Sequence, residues 1–224
     1  MEAEILARCG QGEREIQLQR RFWDGEWQYE LISNGVFIMA SYNALSSQLL
    51  ADFPLTELGL GQRPCRVLVG GLGLGYTVSR ACRWPQVTGV DVVEINPHII
   101  QLNRGPLAQL NGHCLEDPRV RVLEGDIFDH ISRGEAEYEL ICMDVDNGPM
   151  QLLLEQNRRV YAPDFYAQVR RRLRPGGVFV VWSCNPAAEL QEDMRTAFGQ
   201  ATEKVVYESH QGRETAYYLY YGLK

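Results

Sequence analysis

The chain reads as an α/β protein: a doubly wound, mostly parallel sheet with an antiparallel C-terminal hairpin, preceded by a small antiparallel β-meander. Three observations predict this. From Cys65 onward, buried-type strands alternate with helical segments, an order that produces parallel strands joined by crossover helices. Upstream, the apolar runs are separated by Asp24-Gly25 and Asn34-Gly35, dipeptides of tight hairpin turns that need positive φ. The length, 224 residues, suits one α/β domain with a small appendage.

The opening stretch MEAEILARCGQG has neither the basic nor the apolar region of a leader. REIQLQRRF, EWQYELIS and VFIMAS then read as a three-stranded meander. From Ser41 or Asn43 the pattern turns helical, with Leu45, Leu49 and Leu50 on one side and Pro54 as its stop. Residues 1–54 are therefore read as one unit and 55–224 as the other, with TELGLGQRP as a hinge. In the second unit RVLVG precedes TVSRACRW, VTGVDVVE precedes PHIIQLNRGPLAQL, VRVLEGD precedes IFDHISRG, ELICMDVD precedes PDFYAQVRRRL, and GVFVVWS precedes AAELQEDMRTAF. KVVYESH and ETAYYLYYGLK have no helix between them and pair as an antiparallel hairpin at the sheet edge.

Composition excludes several classes. A net charge of −7 repels phosphate backbones and anionic membranes, so neither nucleic acid nor membrane is an expected partner. No apolar run approaches the ~18 residues of a spanning helix, and the reading is cytoplasmic. Six cysteines without a CxxC and four dispersed histidines suggest no metal site and no disulfide framework.

The functional signal begins at VLVGGLGLGYTVSR. Gly71, Gly73 and Gly75 fall where a first strand hands over to a first helix, so backbone can approach a ligand closely. A tight β–α turn needs glycines for packing as well, and both readings stay open at this point. Glu94, nineteen residues beyond Gly75 at the end of the next strand, occupies the place of a carboxylate that grips ribose hydroxyls. Tyr76 stands where a dinucleotide fingerprint needs Gly or Ala, and no Gly-Lys-Ser/Thr ending is present, so NAD and P-loop chemistry are disfavoured. After the third strand, Asp126 could accept from an adenine amino group while Ile127 packs on the ring. The combination points to S-adenosylmethionine (SAM).

VLVGGLGLG, VVEINPHII, RVRVLEGDIFDHI, YELICMDVDNGP and YAPDFYAQVRRRLRPGGVFVV together resemble the spermidine synthase family, within the Rossmann-like class I methyltransferase fold. GGLGLGYT, NRGPL and DVDNGP are similar to a short bacterial spermidine synthase-like subgroup. The resemblance implies a small β-domain before the catalytic domain. It also implies a site for SAM or decarboxylated SAM at Gly71, Gly73, Gly75, Glu94 and Asp126, and a catalytic aspartate at Asp144. The departures fall where that family specifies aminopropyl transfer. Leu74 replaces the aspartate that receives the cofactor amine, Ile38 replaces a glutamine, and Ser46, Ser47 and Gln48 replace a Tyr-His-Glu that helps hold the diamine. Leu74 suits a donor that keeps its carboxylate, since an aspartate there would repel it.

These features favour a SAM-dependent methyltransferase acting on a small-molecule or protein amine. Aminopropyl transfer from decarboxylated SAM is the first alternative, and a non-catalytic nucleoside-binding protein the second. Asp144 and Asp146 are the candidate catalytic residues. Side chains two apart on an extended strand end point to opposite faces, so Asp144 is expected at the transferred carbon and Asp146 at the loop. Asn147, Asn157 and Tyr161, just beyond, are candidate acceptor-pocket residues. Tyr217, Tyr218, Tyr220 and Tyr221 on the last strand could cover a sheet face or a homodimer interface.

Overall fold

The structure, a computed structural model, describes residues 3–12 and 15–224. Arg14, the start of the first run read as a strand, lies outside the described residues. The N-terminal sheet contains β1 (Glu4–Cys9), β2 (Ile16–Trp23), β3 (Glu26–Ser33) and β4 (Val36–Ala40), in that order and antiparallel throughout. It therefore has four strands where three were expected. β1 is an edge strand with no fully buried residue and a bulge between Ile5 and Ala7, so it carries little of the alternation that marks a strand in sequence. Both hairpin turns behave as their dipeptides dictate: Asp24 and Gly25 have φ of 49° and 84°, Asn34 and Gly35 of 49° and 75°.

α1 (Leu45–Thr56) runs past Pro54, which loses one helical hydrogen bond without ending the helix. Leu50 is buried as expected, but Leu45 is exposed. The helix packs on α2 (Tyr76–Cys82), where Asp52 accepts from Arg80 Nε at 2.6 Å and from Trp84 Nε1 at 2.9 Å. The boundary read at residue 54 thus falls within a helix anchored to the larger sheet.

That sheet has the order β10-β11-β9-β8-β5-β6-β7. Its strands are β5 (Cys65–Gly70), β6 (Val87–Glu94), β7 (Val120–Glu124), β8 (Tyr138–Met143), β9 (Leu173–Ser183), β10 (Thr202–His210) and β11 (Arg213–Leu223). β5 to β9 pair in parallel, while β11 and β10 form the antiparallel hairpin on the β9 side. The helices α3 (Pro97–Arg104), α4 (Ile127–Arg133), α5 (Pro163–Arg172) and α6 (Ala188–Phe198) complete the crossovers. α3 is shorter than its sequence pattern, because Gly105-Pro106 ends it and PLAQL continues as turns.

Alternation along the strands divides the core in two. Val67, Val69, Leu140 and Val180 face one side, in a cluster that also takes in Leu50 and the small sheet's Ile16, Leu18 and Leu31. Leu68, Ile141 and Phe179 face the other, among Phe165, Val169 and Met194 of α5 and α6. The small sheet therefore shares its core with one face of the parallel sheet. The C-terminal tyrosines are used inside the fold: Tyr217 stacks on Trp182 at 5.4 Å, Tyr221 meets Phe53 edge-on at 4.9 Å, and Tyr220 is fully buried. Among the described residues no helix is long and apolar enough to cross a membrane.

Candidate functional site

Strand order reverses at β5, with β6 on one side and β8 on the other, and this switch point opens a crevice at the carboxyl ends of the strands. A cavity of about 260 Å³ lies there, between the ends of β5, β6 and β8 and the small sheet.

The glycine loop forms its floor. Gly71 has φ of +89°, and a Cβ there would overlap the carbonyl oxygen of Asp144, so only glycine lets the ends of β5 and β8 approach this closely. The loop is held from outside. Asn103 donates from Nδ2 to the Gly73 carbonyl at 2.8 Å, and Asn111 donates to Asn103 Oδ1 at 2.8 Å. Asn103 is the asparagine of NRGPL, so that motif acts on the loop from α3. Met39 of the small sheet caps the Leu74 N–H through Sδ at 3.2 Å. The Leu74 side chain itself is fully buried in the core and does not line the cavity. Leu74 therefore bears on a ligand only by lacking the family's aspartate, not by offering its hydrocarbon to the cavity.

Glu94, at the end of β6, is 6% exposed and lines the cavity. Its Oε2 accepts from the Leu72 N–H at 2.9 Å and its Oε1 from the Asn96 N–H at 2.8 Å. The Ile95 N–H also acts on this carboxylate as a backbone donor. Burial raises its pKa, and the backbone donors oppose the rise. Asp126 caps α4, accepting from the Phe128 N–H at 2.8 Å, and pairs with Arg159 at 2.5 Å and with Gln156 at 3.4 Å. Any ligand amino group at Asp126 shares the carboxylate with Arg159. Ile127 lines the cavity beside it.

Asp144 follows β8, and its side chain faces the cavity. Its carboxyl is pushed up from 3.8 to about 7, chiefly by burial, with neighbouring Asp146 and Glu94 adding to the rise and a hydrogen bond from Ser47 opposing it. Asp146 is more enclosed, 5% exposed, and its Oδ1 accepts from the Leu153 N–H at 2.8 Å and from Asn157 Nδ2 at 3.0 Å. Burial raises it to about 6, and Oδ2 is left without a partner. Asp146 thus fastens the segment after β8, the loop position expected from its spacing to Asp144, although the sequence also groups it with Asp144 as a candidate catalytic residue. Asn147 and Asn157 both line the cavity and both anchor that segment: Asn147 donates to the Phe37 carbonyl at 3.2 Å, Asn157 to Asp146. Tyr161 packs against the second core cluster and does not line the cavity itself, while burial and the nearby charges of Asp146 and Asp144 raise its pKa.

The cavity takes in Ser47 and Ile38, two of the positions where the chain departs from the family pattern, while sequence reasoning missed Ile16, Ser33, Met39, Asn43 and Trp182. Nothing in their local pattern distinguishes them from strand and helix packing residues. The carboxylates lining the cavity are Glu94, Asp126, Asp144, Asp146 and Glu155, and among the described residues no Lys, Arg or His lines it. A nucleoside carrying a cationic sulfonium fits this charge and the glycine floor.

Residues 44–210 match the spermine/spermidine synthase domain. The chain is 35% identical over 134 residues to a polyamine aminopropyltransferase of Prochlorococcus marinus, a match covering 58% of this chain and 44% of that protein. It is 33% identical over 179 residues to putrescine N-methyltransferase 2 of Nicotiana attenuata, covering 73% and 46% respectively. The matched segment thus spans less than half the length of either relative. The crystal structure of spermidine synthase from Thermotoga maritima superposes with a TM-score of 0.80 at 15% identity, covering 99% of this chain and 73% of that one. A spermidine synthase in complex with the transition state analogue AdoDATO gives 0.79, also at 15% identity, covering 99% and 72%. These two likenesses establish the shared fold, and the domain match over most of the chain places it: the protein belongs to the spermine/spermidine synthase family.

Proposed function

We propose that the protein transfers an alkyl group from an adenosyl sulfonium donor to an amine, with aminopropyl transfer from decarboxylated SAM as the leading reading. The carrying observation is Asp144 at the end of β8, in a cavity lined by five carboxylates and, among the described residues, by no cationic side chain. Decarboxylated SAM carries two positive charges and no carboxylate, so it gains more from such a lining than SAM does. The aminopropyltransferase relative supports the same choice.

When bound, the donor supplies a carbon already activated by sulfonium: the C–N bond forms as the C–S bond breaks, and sulfur keeps the electron pair. The protein's tasks are alignment, water exclusion and proton management. The Glu94 carboxylate accepts from the ribose hydroxyls while still holding the loop, and Ile127 covers the base. Asp144, oriented by Ser47, holds the amine and takes a proton from its ammonium form, which frees the nitrogen lone pair to attack the activated carbon. A carboxyl raised to about 7 is a far better acceptor than an ordinary aspartate, because its affinity for the proton lies near working pH. Asp146 fixes the segment that carries Leu153, Leu154 and Glu155 over the cavity.

Methyl transfer from intact SAM is the second reading, and two features favour it. The position of the family's amine-binding aspartate is Leu74, so the glycine loop offers no carboxylate to a donor's amine and none that would repel a donor's carboxylate. The plant relative is also an N-methyltransferase. Incubation with a panel of primary amines and each donor, with the nucleoside product identified, decides between them. Amine-dependent methylthioadenosine, abolished by Asp144→Asn, supports aminopropyl transfer; S-adenosylhomocysteine selects methyl transfer. Neither product with any amine overturns the transferase reading.

A further inference from the structure

The charged and uncharged parts of the cavity are segregated. All five lining carboxylates belong to the parallel-sheet body or to the segment after β8. Glu94, Asp126 and Glu155 lie on the side where β6 and β7 end, while Asp144 and Asp146 stand together at the end of β8. The opposite wall, built by the small sheet, the start of α1 and β9, is Ile16, Ser33, Ile38, Met39 and Trp182, with Asn43 and Ser47 at its margin.

Asn43 and Ser47 are already engaged, which leaves the Ser33 hydroxyl, an uncharged group, as the polar side chain facing the body of the ligand. Asn43 accepts from the Ala40 N–H at 2.8 Å and donates to the Tyr217 hydroxyl at 3.1 Å, and Ser47 donates to Asp144. The indole nitrogen of Trp182 is a buried donor without an acceptor, so it offers nothing to a cation. The acidic residues behind the wall are engaged elsewhere. Glu30 accepts from Gln19 and Arg21, and Glu208 accepts from the Ser46 N–H at 2.6 Å; neither lines the cavity.

We infer that the acceptor is a singly charged primary amine whose amino group sits at Asp144 and whose uncharged, largely apolar body lies against Ile16, Ile38, Met39 and Trp182. A diamine bound there would press its second ammonium into a wall without a carboxylate, losing its hydration for no ionic partner. This rests on the amine-transfer reading and narrows its substrate class. Ile16, Ser33, Ile38, Met39 and Asn43 all precede residue 44, where the family domain match begins, so family membership does not carry over the acceptor chosen by this wall.

The test is calorimetric binding of 1-aminobutane and putrescine to the protein saturated with 5′-methylthioadenosine. The two amines have equal carbon chains and differ in the charge at the far end. The inference expects 1-aminobutane to bind at least tenfold more tightly. Ser33→Asp and Ile38→Glu each place a carboxylate in the wall, and in whichever variant folds the ratio should move at least tenfold toward putrescine. Equal binding, tighter putrescine binding, no binding of either amine, or a ratio unmoved in folded variants overturns it. Turnover is scored separately. A protein that binds methylthioadenosine but alkylates no amine refutes the transferase reading, while the binding ratio still decides the acceptor class.

Discussion

Replacing Asp144 by asparagine should stabilise the ligand-free protein at high pH while removing its activity. The carboxyl titrates at about 7 in the fold against 3.8 ordinarily, so the folded state holds its proton more tightly than the unfolded chain does. A raised carboxylate pKa makes a contribution that is fully present below pH ~4 and is lost as pH rises through ~7. At ~1.36 kcal/mol per pH unit the whole interval is worth ~4 kcal/mol, of which ~2.5 falls between pH 5 and pH 8. Asp144 faces a cavity that water can enter, which reduces the figure to roughly 1–2.5 kcal/mol. Asparagine keeps the shape and never ionises. Urea denaturation of wild type and Asp144→Asn at pH 5 and pH 8 should therefore show the variant's advantage growing by that amount toward pH 8, while amine-dependent turnover falls by ~100-fold or more. Comparing the two proteins at each pH removes most of the contribution of Asp146 and Glu94, which are common to both. A variant less stable than wild type at pH 8, or a stability difference independent of pH, would refute the burial argument.

Other substitutions read other parts of the site. Glu94→Gln turns an amide N–H toward the Leu72 or Asn96 N–H and forfeits charge-assisted bonds of ~1.5–3 kcal/mol each, so methylthioadenosine affinity should drop more than tenfold by calorimetry; unchanged affinity removes the ribose assignment. Gly71→Ala forces a Cβ into the Asp144 carbonyl at a positive φ and should lower stability by ~3 kcal/mol or more, read from the denaturation midpoint. Asp146→Ala should raise the amine KM more than it lowers kcat and open residues 147–159 to proteolysis, with Asp146→Asn restoring part of both because the amide oxygen still accepts from Leu153. Binding of the cationic donor should strengthen from pH 5.5 to pH 8 as Asp146, at about 6, and Asp144, at about 7, ionise. The matching proton release, visible as a buffer-dependent heat, should vanish in part in Asp144→Asn.

The parallel body was legible because its signals are local. Strand runs such as VLVG and ELICM have no helical period, glycines occur where a strand turns sharply into a helix, and Glu94 and Asp144 stand at strand ends, where any doubly wound sheet opens its crevice. β1 was missed because an exposed, bulged edge strand buries too little to impose alternation. Pro54 misled because a proline in the last turn of a helix costs one hydrogen bond, and the packing of α1 on α2 outweighs it. Tyr161 was assigned to the acceptor pocket from its place after Asp144 alone. The segment between them is gathered around Asp146, and this packs the Tyr161 ring against the core behind the cavity wall, still near Asp146 and Asp144.

What sequence could not give was the coupling between the small sheet and the reacting groups. Three links make it: Met39 caps the loop N–H of Leu74, Asn147 reaches the Phe37 carbonyl, and Ser47 at the start of α1 orients Asp144. Met39 and Ser47 thus belong both to these links and to the cavity wall proposed for the acceptor. A substitution in the first fifty residues can change acceptor preference and also shift Asp144 or the glycine loop. The two effects separate by assay: a change confined to the wall alters the ratio between amines at constant nucleoside affinity, whereas a disturbed link alters nucleoside affinity or the titration of Asp144 for every amine alike. If the acceptor wall is as proposed, variants at Ile16, Ser33 and Ile38 should fall in the first class and variants at Met39 or Ser47 in the second.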